Sequence, residues 1–139
     1  MENKQRGFSQ KAIIYNNEGK ILIIRRSKTS PTRAGFWDLP GGVLEDGEDK
    51  KEAIIREIKE ETDLDVKDLL VSGKVVGPEN DISWEITCYF GAAPNDDVKL
   101  SYEHDDFKWI MPEEFESLEA SDTHKKFVKE FISLQNGKK

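Results

Sequence analysis

GVLEDGEDKKEAIIREIKEETDL, residues 42–64, is the stretch on which the reading of the fold turns. Gly41 and Gly42 open it, and glycine lets a backbone approach a ligand closely. Asp46 or Asp49 can cap a helix, and residues 49–62 hold no Pro or Gly to interrupt one. Ile54, Ile55 and Ile58 recur at the spacing of a core-facing stripe. Glu57, Glu60 and Glu61 stand at i, i+3 and i+4, so they share a face roughly 100° wide beside that stripe. Carboxylates at the rim of a core repel, by roughly 0.2–0.5 kcal/mol per pair on an exposed helix and more where water is excluded. Lys59 points about 100° away from Glu60 and about 160° away from Glu57 and cannot offset this. A hard divalent cation can, because Mg²⁺ takes one or two carboxylates together with substrate phosphates. An acidic helix face alone is ordinary. The preceding glycines, Glu48 between them and the helix, and Arg56, whose guanidinium can hold a carboxylate by paired hydrogen bonds, turn the face into a candidate site.

Outward from this helix, residues 8–15 and 20–26 are β-rich runs joined by Asn16-Asn17-Glu18-Gly19, the signature of a hairpin. A basic loop follows, with Arg25, Arg26, Lys28 and Arg33 around Pro31 and Gly35. Residues 65–76 and 82–92 read as strands. In the second, Ile82, Trp84, Ile86, Cys88 and Phe90 alternate with polar neighbours, the pattern of a sheet with one buried face. Phe107–Ile110 is a further short strand, Pro112 suits a first helical turn, and residues 122–134 form a last helix with Phe127, Phe131 and Leu134 spaced to dock on the core. Strands mixed with helices predict an α/β domain with a mixed sheet, a single domain over residues 1–139 with frayed ends at about 1–6 and 136–139.

The chain has 139 residues and a net charge of −7, which argues against a nucleic-acid polymer as partner, since such binders carry a basic face. Its one cysteine, Cys88, forbids an internal disulfide and suits a reducing compartment. No signal peptide and no stretch near the roughly 20 apolar residues of a membrane span is visible. These features predict a cytoplasmic protein with no membrane partner.

The spacing Gly42, five residues, Glu48, seven residues, Arg56-Glu57-Ile58-Lys59-Glu60-Glu61-Thr62-Asp63-Leu64 resembles the Nudix box, and the lead-in Trp37-Asp38-Leu39-Pro40-Gly41 extends the likeness. Asp63 stands where the box has a late glycine that ends the helix in the left-handed region. Asp tolerates that conformation at some cost. The resemblance implies a Nudix-like α/β/α sandwich and hydrolysis of a diphosphate linkage in a small nucleotide-like substrate, with Mg²⁺, or alternatively Mn²⁺, as cofactor. It implies Glu57, Glu60 and Glu61 as metal ligands, the Gly42 carbonyl completing the shell, and Arg56 with Glu48 as the pair that orients the helix. Glu103, in Glu103-His104-Asp105-Asp106-Phe107-Lys108-Trp109, resembles a loop acid that reaches the metals in several members. Either it or Glu57 could take the proton from the attacking water. Family members are often dimers, so a homodimer is among the expectations.

Arg25, Arg26 and Arg33 are candidates to hold substrate phosphates, and Trp37 is a candidate to stack on a base. Trp84 and Cys88 are expected in the core. Four functions compete: a nucleoside triphosphate hydrolase, a dinucleoside polyphosphate or nucleotide-sugar hydrolase, a non-catalytic nucleotide sensor, and an isoprenoid diphosphate isomerase, which would need a catalytic cysteine.

Overall fold

The computed structural model describes residues 5–45, 47–79 and 82–137. In chain order these form β1 (Gln5–Tyr15), β2 (Ile21–Arg26), β3 (Trp37–Asp38), β4 (Gly41–Val43), α1 (Lys50–Thr62), β5 (Leu70–Glu79), β6 (Ile82–Ala92), β7 (His104–Ile110), a 3-10 turn at Pro112–Ser117, and α2 (Asp122–Asn136). Of the expected frayed ends, Gln5 and Arg6 open β1 and Asn136 closes α2; residues 1–4, 138 and 139 lie outside the described residues.

The strands join in one sheet, ordered β3-β2-β1-β6-β5, with β4 beside β1 and β7 beside β2. β1 runs parallel to β6 along its whole length, while the other pairs are antiparallel, so the sheet is mixed. Ile21–Ile24 are all fully buried, because both faces of the sheet are covered. Ile13, Ile21 and Ile23 pack with Phe127, Val128 and Phe131 of α2. Ala12, Ile14, Leu22 and Ile24 pack with Ile54 and Ile58 of α1 on the opposite face. The two helices therefore sandwich the sheet, as the α/β/α expectation required.

Local signals place the ends of α1. Asp49 caps its start, its side chain accepting from the Glu52 N–H at 3.0 Å, while Asp46 lies outside the described residues. Asp63 adopts φ 65° at the other end, and its N–H donates to the Lys59 carbonyl at 2.9 Å. The departure from glycine thus keeps the left-handed stop, and Lys59 Nζ contacts the Asp63 carboxylate at 3.1 Å.

Four local readings change. Residues 65–69 are not strand; Leu64, Val66 and Leu69 all drop into the core beside α1, which mimics an alternating pattern without a ladder to join. β7 begins at His104, three residues before the apolar run that announced it. Leu134 is 41% exposed, because α2 has passed the edge of the core. Thr87, Cys88, Tyr89 and Phe90 are buried in succession, so the far half of β6 is covered on both faces rather than one. Among the described residues, no helix is long and apolar enough to cross a membrane.

Candidate active site

β4 pairs antiparallel with β1 and brings Gly41 and Gly42 against the C-terminal half of α1. The Gly41 N–H donates to Glu61 Oε1 at 2.8 Å. A Cβ at Gly42 would collide with Glu57 Oε2, so the glycine is what lets that carboxylate lie on the β4 backbone. Glu61 is 8% exposed, and burial pushes its pKa up to about 8 against the pull of Lys11 and the Gly41 N–H. Glu57 is half-buried and also raised, again by burial first.

Glu60 goes elsewhere. It is exposed and accepts from Arg56 Nη1 at 2.7 Å, away from Glu57 and Glu61, although all three share one helical face. Arg56 Nη2 donates to Glu48 Oε2 at 2.8 Å, and Glu48 Oε1 accepts from the Glu45 N–H at 2.9 Å. Arg56 therefore clips the loop before α1 to the helix, with Glu57 Oε1 3.8 Å away.

Glu57 and Glu61 line an open cleft of about 700 Å³. Arg26, Arg33, Trp37, Gly42 and Glu103 also line it, whereas Arg25 does not. Arg25 Nε turns to Asp105 at 2.8 Å, and its guanidinium lies 5.6 Å from the Trp37 ring centre. Trp37 is 9% exposed, and Lys108 Nζ also stands 5.2 Å from its ring centre, so two cations lie close to the ring. Arg26 donates to Ser30 Oγ, to the Thr32 carbonyl and to Thr32 Oγ1, and reaches Asp38 at 3.4 Å; its donors anchor the loop after β2. Arg33 lines the cleft with no hydrogen bond or ion pair to its side chain among the described residues. Glu103 is exposed, and its carbonyl accepts from the Ser27 N–H at 3.0 Å, tying the two loops over the cleft. Trp84 lines the cleft instead of filling the core, its ring resting against Gly7 on the neighbouring strand.

Sequence reasoning missed the floor of this cleft. Asp38 is 3% exposed and takes Lys11 Nζ at 3.1 Å, His124 Nδ1 at 3.2 Å and, more distantly, His104 Nε2 at 3.9 Å. Lys11 and the histidines hold its carboxyl well below the usual carboxylate range despite burial. Lys11 also donates to the Leu39 carbonyl at 3.1 Å, fixing the turn into Gly41 and Gly42. The members of this cluster come from β1, β3, β7 and α2, with no local spacing to announce them. A lone charge beside Trp37 in a short strand was the one available sign.

The chain matches the NUDIX domain family over residues 6–131. It belongs to the Nudix hydrolase family. A MutT protein from Methanosarcina mazei Go1 has a similar structure, with a TM-score of 0.86 at 32% identity over 97% of this chain and 99% of that one. A CTP pyrophosphohydrolase from Escherichia coli K12 is 28% identical over 74% of this chain and 75% of its own length. An octanoyltransferase from Myxococcus xanthus is 35% identical over 67% of this chain, but the match spans only 27% of that protein.

Nudix hydrolases generally use divalent metals, and the donors here fit one. Two carboxylates against a glycine backbone, both made reluctant to ionise by burial, form an all-oxygen set suited to a hard cation. Among the described residues no three acidic, His or Cys side chains form a ready cage. Mg²⁺ does not require one, since it keeps several waters beside one or two carboxylates.

Proposed function

We propose that this chain hydrolyses a diphosphate linkage in a nucleoside triphosphate or a related nucleoside diphosphate derivative, with Mg²⁺ or Mn²⁺ held by Glu57, Glu61 and the Gly42 carbonyl. The observation that carries the reading is the pair Glu57 and Glu61, lining the cleft beside Gly41 and Gly42. Both are buried enough to resist ionisation, and no protein cation forms an ion pair with Glu61 among the described residues. Glu57, Glu61 and the Gly42 carbonyl would hold the cation, which would lower the pKa of an attacking water and offset phosphoryl charge.

The chain's own residues do the rest. Glu57 and Glu103, which line the same cleft, are the two candidates to accept the proton of the attacking water. Arg56 and Glu48 keep α1 in register with the loop that carries Gly42. Glu60 acts through Arg56 in this arrangement. Arg26 lines the same cleft and brings positive charge to it, as a polyphosphate chain requires. Relatives described as CTP pyrophosphohydrolase, 8-oxo-dGTP diphosphatase and nucleoside triphosphatase favour a triphosphate over a dinucleotide.

The isomerase alternative loses support, since Cys88 is fully buried and outside the cleft, and burial pushes its thiol up to about 12. The sensor alternative predicts tight nucleotide binding without turnover. Purified protein with Mg²⁺ or Mn²⁺, given a panel of nucleoside triphosphates, nucleotide sugars and dinucleoside polyphosphates, should release phosphate or pyrophosphate from at least one triphosphate. Binding with no release from any substrate would select the sensor.

A further inference from the structure

The cleft has a second lobe that the diphosphate reading leaves without a task. It adds about 270 Å³ and shares Arg33, Trp84, Ile86, Ser121 and His124 with the main cleft. Glu57 and Glu61 line the main cleft and not this lobe, and no carboxylate lines it among the described residues.

Its polar groups have a definite sense. Arg33 offers donors only. Its backbone sits at φ 49°, in the left-handed region where a long side chain is rarely found, and the Phe36 N–H closes the turn on its carbonyl at 3.0 Å. His124 is 9% exposed. Its Nδ1 lies 3.2 Å from Asp38 Oδ1, out of hydrogen-bond alignment and sealed from solvent without another partner. The ionised Asp38 carboxylate 3.2 Å from Nδ1 favours the neutral ring's proton on that nitrogen, which leaves Nε2 as an acceptor. Burial depresses the pKa of His124 to about 4, so the ring is neutral near neutral pH. Trp84 supplies a flat apolar wall. It rests on Gly7, where any Cβ would sit 2.6 Å from the ring.

A donor and an acceptor beside an aromatic wall describe a base pocket. We propose that this lobe is a nucleobase subsite selecting bases with a ring carbonyl next to a ring N–H, as in guanine, hypoxanthine and uracil, over the amino-bearing adenine and cytosine. Arg33 donates to the carbonyl, and His124 Nε2 accepts from the N–H. Adenine and cytosine reverse this edge: an amino group meets the guanidinium, and a bare ring nitrogen meets the imidazole lone pair. Sites built on buried hydrogen-bonding groups discriminate strongly, because the wrong ligand leaves them unpaired. Trp84 stacks on either kind of base and sets affinity rather than choice. The assignment rests on the nucleotide reading above and adds which nucleotides are preferred.

Inosine and adenosine monophosphates differ only at this edge. Calorimetric titration of the full chain with each, near neutral pH and without metal, tests the lobe apart from hydrolysis. IMP should bind roughly tenfold or more tightly than AMP. Arg33→Gly suits φ 49° and removes the guanidinium; it should bring IMP down to the level of AMP with the Tm unchanged. Equal or tighter binding of AMP, no measurable binding of IMP, or an IMP preference that survives Arg33→Gly would each overturn the subsite. Selective IMP binding alongside no triphosphate hydrolysis would instead remove the catalytic reading and leave the subsite standing.

Discussion

Asp38 Oδ1 lies 3.2 Å from His124 Nδ1, joining the third strand of the sheet to the first turn of α2 across the floor of the cleft. Asp38 is also the counter-charge of Lys11 and Arg26. Removing the charge from one partner of a buried ionic cluster leaves the others uncompensated. Asp38→Asn should therefore lower unfolding free energy by about 3–5 kcal/mol. Urea denaturation checks this, and a loss under about 1 kcal/mol would show that Lys11 and Arg26 find water instead.

The same contact sets a pH dependence. His124 is faced by Asp38, Lys11, Arg26 and Arg33, and burial outweighs Asp38, so its folded pKa falls from 6.5 to about 4. Above pH 6.5 the ring is neutral in both states. Between 6.5 and 4 the unfolded chain takes up a proton that the folded chain refuses, so stability falls as the pH is lowered. At about 1.4 kcal/mol per unit the loss is roughly 3 kcal/mol over the interval. Glu61, raised to about 8, acts in the opposite sense over the same range, so the comparison between chains is decisive: the unfolding free energy of His124→Gln should fall less than that of the unaltered chain as the pH goes from 6.5 to 4. An equal fall in the two chains would place the titrating group elsewhere.

Glu57→Gln and Glu61→Gln keep side-chain size, and the amide carbonyl introduced by Glu61→Gln still accepts from the Gly41 N–H. Each should cut turnover at least roughly a hundredfold and weaken Mn²⁺ binding, with the fold intact by circular dichroism. Glu60→Gln should cost less, since Glu60 faces Arg56 and solvent. A Glu60 loss equal to that at Glu61 would mean that Glu60 swings inward when the metal binds.

Arg56→Lys retains charge but cannot reach Glu48 and Glu60 from one planar fork. It should lower kcat by roughly 10–100-fold, as the loss of an orienting group does, with little change in KM. Full activity would assign the ion pairs to the surface alone.

Cys88 should resist iodoacetamide at about pH 8 until denaturant is added, because the thiolate is the nucleophile and the folded thiol is held at about 12. Cys88→Ser should hydrolyse substrate normally once folded. Rapid labelling of native protein would show that β6 opens.

Much of the architecture was legible because it is written in local spacing. Asp49 and Asp63 bracket α1, Ile54 and Ile58 define its inner stripe, and residues 82–92 form the strand that their alternation announces. The box residues converge where a helix and a glycine turn must meet. The pattern could not say that Glu60 would be captured by Arg56, because that depends on rotamers rather than on helical phase. Nor could it place Trp84, whose alternating neighbours suit a core wall and a cleft wall equally well. The Asp38 cluster was illegible for a deeper reason. Its parts meet only after four separate elements have packed.

Residues 27–33 gain from one anchor what most surface loops lack. Arg26 ties Ser30 and Thr32 to the buried carboxylate beneath them, so Arg33 is carried on a segment that is already set. A ligand arriving there has little chain to immobilise. The entropic penalty of capture then falls on the ligand's own torsions rather than on the protein.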